Sequence, residues 1–157
     1  MIQIALLADH SDFIPVLASW FRSQWPDYFA GRSQALVEDG FRREASRNKI
    51  PVRLVALYNG DLVGTVVLRS ESMPGESVSG PELGGLYVLE SRRRSGIGTE
   101  LVRAGMHLAT DLGLDALTAT TNSAAGILVS LGWEFVGLVL HGDEQLNLYR
   151  VDLNSAE

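Results

Sequence analysis

The stretch "VRLVALYNGDLVGTVVL", residues 52–68, limits the fold more than any other part of the chain. Two β-rich runs flank Asn59-Gly60. A two-residue type I′ turn needs positive φ at both central positions, which this pair tolerates, so a β-hairpin is expected. Before it, "IQIALLA" (2–8) reads as a strand. A helix follows, with Ser11 or Asp12 as N-cap and Phe13, Leu17, Trp20 and Phe21 at helical spacing, and Pro26 ends it. A second helix is expected over 34–48, closed by Pro51. After a polar loop at 69–81 come a strand ("ELGGLYVLE", 82–90) and a helix over 96–113, with Leu101, Val102, Met106, Leu108, Ala109 and Leu112 near one stripe and Gly113 at its end. A strand (114–121), a short helix over 122–132 ending at Gly132, and two strands joined by "HGD" complete the chain. The expected order is β-α-α-β-β-β-α-β-α-β-β. With no repeat or internal boundary, residues 1–157 read as one mixed α/β domain.

Charge and composition exclude several functions. Nineteen acidic against 13 basic residues argue against general nucleic-acid binding, which draws its affinity from phosphate neutralisation. The absence of cysteine excludes disulfides, thiolate zinc sites and thiol nucleophiles, and fits a cytoplasmic protein. No apolar window reaches the roughly 20 residues that span a bilayer. The start, "MIQIALLADHSD", lacks the basic n-region of a signal peptide, so no membrane association is expected. His10, His107 and His141 fit no metal-ligand spacing, and no metal is expected.

Against this acidic background, "LYVLESRRRSGIGTELV" (86–102) sets three consecutive arginines beside Gly96 and Gly98. A strand, a glycine-rich turn and a helix in sequence present unpaired backbone N–H groups, and the helix dipole favours an anion at them. Arginine adds charge-assisted donors suited to phosphate oxygens. The Walker A pattern is absent, because no lysine follows either glycine. The dinucleotide pattern fails too, since Thr99, Glu100 and Leu101 follow Gly98.

The segment resembles the pyrophosphate loop of the GNAT family of N-acetyltransferases, [QR]-x-x-G-x-[GA] at the start of a helix after a Leu-x-Val strand. Arg93, Gly96 and Gly98 fill the signature, and Leu86-Tyr87-Val88 precedes it. A second likeness lies in "NSAAGILVSLGWEFVG", where Asn122, Leu131, Gly132 and Trp133 occupy the positions of the family's C-terminal Leu-Gly-Phe motif. The expected element order matches the family fold over nearly the whole chain.

The resemblance implies acetyl transfer from acetyl-CoA to the primary amine of a small molecule. The amides of Arg93, Arg94, Ser95, Gly96, Ile97, Gly98 and Thr99 would cradle the pyrophosphate. The strand edge at Leu86, Tyr87 and Val88 would take the pantetheine arm, with Asn122 nearby and the Val88 N–H as oxyanion donor. Glu82, eleven residues before Arg93, matches the family's general base, and the alternative is a solvated residue after Pro81. Trp20, Trp25, Tyr28 and Phe29 fall where the family builds its acceptor pocket. Many members carry a tyrosine as general acid four residues before the Leu-Gly-Phe glycine, where this chain has Leu128, with Ser123, Ser130 and Tyr149 as substitutes. That departure keeps a second reading open: a GNAT-like module that binds CoA or acyl-CoA with little or no turnover. The family likeness also leaves a homodimer through the C-terminal strands open.

Overall fold

The computed structural model describes residues 1–70, 80–141 and 143–154, and among these it has seven strands and four α-helices. In chain order they are β1 (Ile2–Leu6), α1 (Ile14–Gln24), α2 (Gln34–Arg43), β2 (Val52–Tyr58), β3 (Asp61–Arg69), β4 (Glu82–Val88), α3 (Ile97–Asp111), β5 (Ala116–Thr121), α4 (Ala125–Ser130), β6 (Glu134–His141) and β7 (Glu144–Asp152). The order is the expected one. Asn59 and Gly60 have φ of 52° and 89°, and β2 pairs antiparallel with β3 across them. Most of the polar loop expected at 69–81, and the centre of the "HGD" turn, lie outside the described residues.

Three helix boundaries differ from expectation. Ser11 and Asp12 do not cap α1. They form a short 3-10 turn over Ser11–Phe13, and α1 starts at Ile14 with Pro15 in its first turn. Proline suits that place because its missing N–H would have had no helical partner. The second helix is shorter than expected. Ser33 caps it through its hydroxyl, and Glu44 leaves helical geometry at its end. There the Glu44 carbonyl accepts from the Arg53 amide, and its carboxylate accepts from the Arg53 side chain. Last, α4 begins at Ala125, because the Thr121 hydroxyl first takes the amides of Ser123 and Ala124.

One sheet runs through the molecule in the order β1-β2-β3-β4-β5-β7-β6. Every pair is antiparallel except β4 with β5. On one face, Leu17, Phe21, Val37 and Phe41 of α1 and α2 bury Val55 and Leu57. On the other, Leu101 and Val102 of α3 and Leu128 of α4 bury Leu83, Leu117 and Val151. No described helix is long and apolar enough to cross a membrane.

Candidate active site

The sheet forks between β4 and β5. Their parallel ladder consists of one register pair, Glu82 with Thr118, held beside it by the Thr118 amide donating to the Pro81 carbonyl at 3.1 Å. Beyond that pair β4 stays with β3, while β5 turns to β7. Peptide planarity fixes which groups of β4 face the fork. The Leu89 amide donates to Val63 of β3 at 2.9 Å, so the Val88 carbonyl, on the opposite side of that peptide plane, points away from β3. The Tyr87 carbonyl lies against Gly64 of β3, so the Val88 N–H also points away from β3. The Val88 carbonyl accepts from Arg93 Nε at 2.9 Å, which leaves the adjacent N–H turned toward the fork.

The arginine-glycine segment stands at the mouth of the fork. A 3-10 turn over Glu90–Arg92 leads into Arg94 at φ 66° and Gly96 at φ 89°, and α3 follows at once. The first backbone bond of α3 runs from Glu100 to the Gly96 carbonyl at 3.1 Å, so the amides of Ile97, Gly98 and Thr99 have no partner within the helix. A Cβ at Gly96 would meet no atom within 4 Å, so the approach at Gly96 is open. At Gly98 a Cβ would lie 2.8 Å from Ile127, which explains how α3 closes against α4 there. Left-handed residues just before a helix N-terminus make a concave nest of N–H groups, a geometry that takes anions. The residues present fit a pyrophosphate.

On the face covered by α1 and α2, Tyr87 carries the aromatic group. Its ring lies 5.4 Å from Trp20, 6.0 Å from Phe21 and 6.1 Å from Trp25 between centroids, and the Arg93 guanidinium sits 5.6 Å away. Trp25 is 37% exposed and gives this group an open side. Tyr28 and Phe29 pack edge-on at 4.7 Å, with Arg32 over both rings. Trp20 and Trp25 therefore share a surface with the strand that borders the fork, and Tyr28 with Phe29 forms a second pair.

Glu82 is not a solvated residue: it is 2% exposed. Its Oε1 lies 3.7 Å from Arg69 Nε, across the β3–β4 register pair that joins the two residues. Next to them Arg53 donates to Glu44 at 2.6 Å and to Thr65 Oγ1 at 3.1 Å, with Phe21 and Phe41 on its guanidinium. Burial pushes Arg53 below the ordinary arginine range, Glu44 opposes that, and the like charge of Arg69 adds to it. The tips of Arg53 and Arg69 occupy the space where side chains of Gly85 and Gly84 would stand. A Cβ at Gly85 would be 3.1 Å from Arg53 Nη2, and one at Gly84 3.1 Å from Arg69 Nη2. Gly85, at φ 58°, bulges β4 where its pairing with β3 shifts register.

The remaining candidates are structural in their contacts. The Asn122 side chain donates to the Gln145 carbonyl at 2.9 Å and accepts from the Asn147 amide at 3.2 Å, bracing the end of β5 to β7. Leu128 is buried in the core of α3 and α4, as is Trp133, whose Nε1 meets Met106 Sδ at 3.3 Å. Ser130 donates to the Ile127 carbonyl, and Tyr149 is buried against Phe135. Sequence reasoning missed Arg53, Arg69 and Glu44. The available signal was Arg53, a charge inside an otherwise apolar strand.

The model of the acetyltransferase (GNAT) family matches residues 17–132. None of the curated proteins matches the chain. Among solved structures, a GNAT-family acetyltransferase from Streptococcus pneumoniae superposes with a TM-score of 0.70 at 16% identity, covering 97% of this chain and 99% of its own. An aminoglycoside 6'-N-acetyltransferase complexed with coenzyme A gives 0.71 at 18% identity over 96% and 97%. The aminoglycoside 6'-N-acetyltransferase of Enterococcus faecium gives 0.72 at 18% identity, also over 96% and 97%. At such identities the superpositions establish the fold, and the family match, which spans both the arginine-glycine loop and the fork, establishes the lineage: the chain belongs to the GNAT acetyltransferase family.

Proposed function

We propose that the protein transfers the acetyl group of acetyl-CoA to the primary amine of a small molecule. The observation that carries this reading is the fork. A strand pair that parts after one register position leaves backbone groups of β4 facing a gap, with an anion-binding nest at its mouth. Acetyl-CoA supplies an acyl group already activated as a thioester. The Arg93 amide donates to the Glu90 carbonyl, so the nest from Arg94 to Thr99 holds its pyrophosphate, and the Val88 N–H pairs with the pantetheine arm.

The extent of β4 then divides the labour. Glu82 and Val88 are six residues apart, about 20 Å along a strand. They do not serve one carbonyl together. In this reading Val88, next to the nest, serves the arm rather than the oxyanion, and Glu82, at the fork's vertex, serves the reacting end. There it takes a proton from the acceptor's ammonium, directly or through one water, so that the free amine attacks. As the new C–N bond forms, the C–S bond breaks and the thiolate leaves, and the surplus proton on the attacking nitrogen passes to the thiolate or to water. Trp20 and Trp25 give the acceptor an aromatic wall, and aminoglycoside-modifying relatives of this fold illustrate small-molecule acceptors.

Leu128 supports the second reading, a CoA-binding module with little turnover, because a buried leucine donates no proton to the leaving sulfur. Calorimetric titration tests what both readings share. Wild type should bind acetyl-CoA at micromolar Kd, about −8 kcal/mol, and Gly96→Asp should lose that binding through a like charge in the nest. No binding at millimolar acetyl-CoA would remove both readings. Turnover of acetyl-CoA with a panel of amines then separates them.

A further inference from the structure

Glu82 is an ionisable group taken out of water, and its charged form persists there only with compensation. The register of the sheet shows one source of that compensation. Across β3, β4 and β5, Arg69 is opposite Glu82 and Glu82 is opposite Thr118. All three stand on the face away from α3, since their neighbours Leu68, Leu83 and Leu117 pack in the α3 core. Thr118 brings no charge. Two further strand cations stand on this face: Arg53 donates to Glu44 at 2.6 Å, and Arg150, opposite Thr118 on β7, is exposed to solvent. Arg69 is therefore the cation opposite Glu82. Its Nε is buried and has no hydrogen-bond partner, and its 3.7 Å approach to Oε1 is too long for one. The contact is one of charge, not of a shared proton.

We propose that Arg69 is the positioning residue for Glu82, holding the carboxylate ionised at the vertex of the fork so that it meets the acceptor's ammonium as an anion. This rests on the role of Glu82 proposed above. Two neighbouring features make the arrangement specific to this chain. Gly84 and Gly85 clear the space that the Arg69 and Arg53 tips fill. Glu44 balances Arg53, so the four charges sum to zero and Arg69 is left for Glu82. In this scheme Arg69 touches neither acceptor nor thioester. It acts through Glu82, whose readiness to take a proton depends on the cation beside it.

The test reads Glu82 directly. In protein labelled with carboxyl-13C glutamate, the Glu82 resonance is identified by its loss in Glu82→Gln and followed from pH 8 to 5.5. In the wild type it should stay at the ionised position throughout. In Arg69→Met it should titrate inside that window, because losing an adjacent cation raises a carboxylate by about one to three pH units. Arg69→Lys, which keeps the charge, should return it close to wild type. Titration of Glu82 inside the window in the wild type overturns the proposal even if Arg69→Met fails to fold. So does a folded Arg69→Met in which Glu82 stays ionised. The catalytic reading fails separately: full turnover by Glu82→Gln removes it, whatever the resonance does.

Discussion

The two halves of the sheet are built differently, and the site lies where they meet. In β1 to β4 each strand pairs antiparallel with its neighbour in the chain or with the hairpin beside it, and both faces are covered, by α1 and α2 on one side and α3 on the other. In β5, β7 and β6 one face packs on α3 and α4. The other holds Thr118, Thr120, Leu148 and Arg150, all partly or fully exposed, and the edge strand β6 leaves Phe135, Val136, Leu138 and Leu140 more than half exposed. The first half is a packed support. The second is a half-covered sheet joined to it at one register pair. A continuous ladder between them would be more stable, but it would offer no backbone groups to a ligand. In the function proposed above, the fork exchanges those hydrogen bonds for binding capacity.

The largest expected effect tests the junction itself. Glu82→Gln keeps the shape of the side chain and removes its charge. With acetyl-CoA and an amine that the wild type acetylates, it should lower kcat by about 10²–10⁴. Acetyl-CoA affinity should be unchanged, because the nest lies at the far end of β4. Equal losses in affinity and kcat would mean that the junction is a structural weld, and the contrast between the halves would lose its functional meaning.

The next effect separates the halves by stability. Leu101, 0% exposed, lies in the core of α3, and truncation to alanine there should cost about 2–5 kcal/mol in denaturant unfolding. Leu138 on β6 is 58% exposed, and its truncation should cost under about 0.5 kcal/mol. Similar costs at the two sites would show that β6 is covered in solution and that the second half is not as open as drawn.

Local pattern and long-range pairing account for what the sequence revealed. The hairpin at Asn59-Gly60, the stripe of α3 and the arginine-glycine nest are contiguous in the chain, so residue spacing carries them. The environment of Glu82 is not contiguous. Its partner Arg69 comes from β3, thirteen residues earlier in the chain, and Thr118 comes from β5 beyond a whole helix. Nothing near Glu82 in sequence marks it as buried, and the preceding Pro81 suggested the opposite. The Ser11 and Asp12 cap failed for a related reason. Both residue types suit a cap and a tight turn equally, and Pro15 settled where the helix begins. Asn122 stands out in the sequence only by its place in a motif, and its bonds to β7 form only once distant strands assemble.

The smallest effect is the sharpest comparison, because one substitution should change sign between the halves. Gly105 and Gly126 both lie within helices, where alanine is intrinsically better by up to about 1 kcal/mol. At Gly105 a Cβ would stand 2.6 Å from Leu83 Cδ1, with Cδ2 and Cγ at 3.2 and 3.5 Å, so the whole end of that leucine must move within a filled core. Overpacking of this kind costs about 1–3 kcal/mol, which exceeds the helical gain, and Gly105→Ala should destabilise. At Gly126 a Cβ would meet nothing within 4 Å. There the gain from a stiffer unfolded chain stands alone, reduced because the residue lies in the first turn of a short helix, and Gly126→Ala should stabilise by a few tenths of a kcal/mol up to about 1 kcal/mol. Urea midpoints of the two variants decide it. Loss of stability in both would place α4 against something as tightly packed as the α3 core, and stabilisation in both would mean that α3 stands further from β4 than the 2.6 Å approach allows.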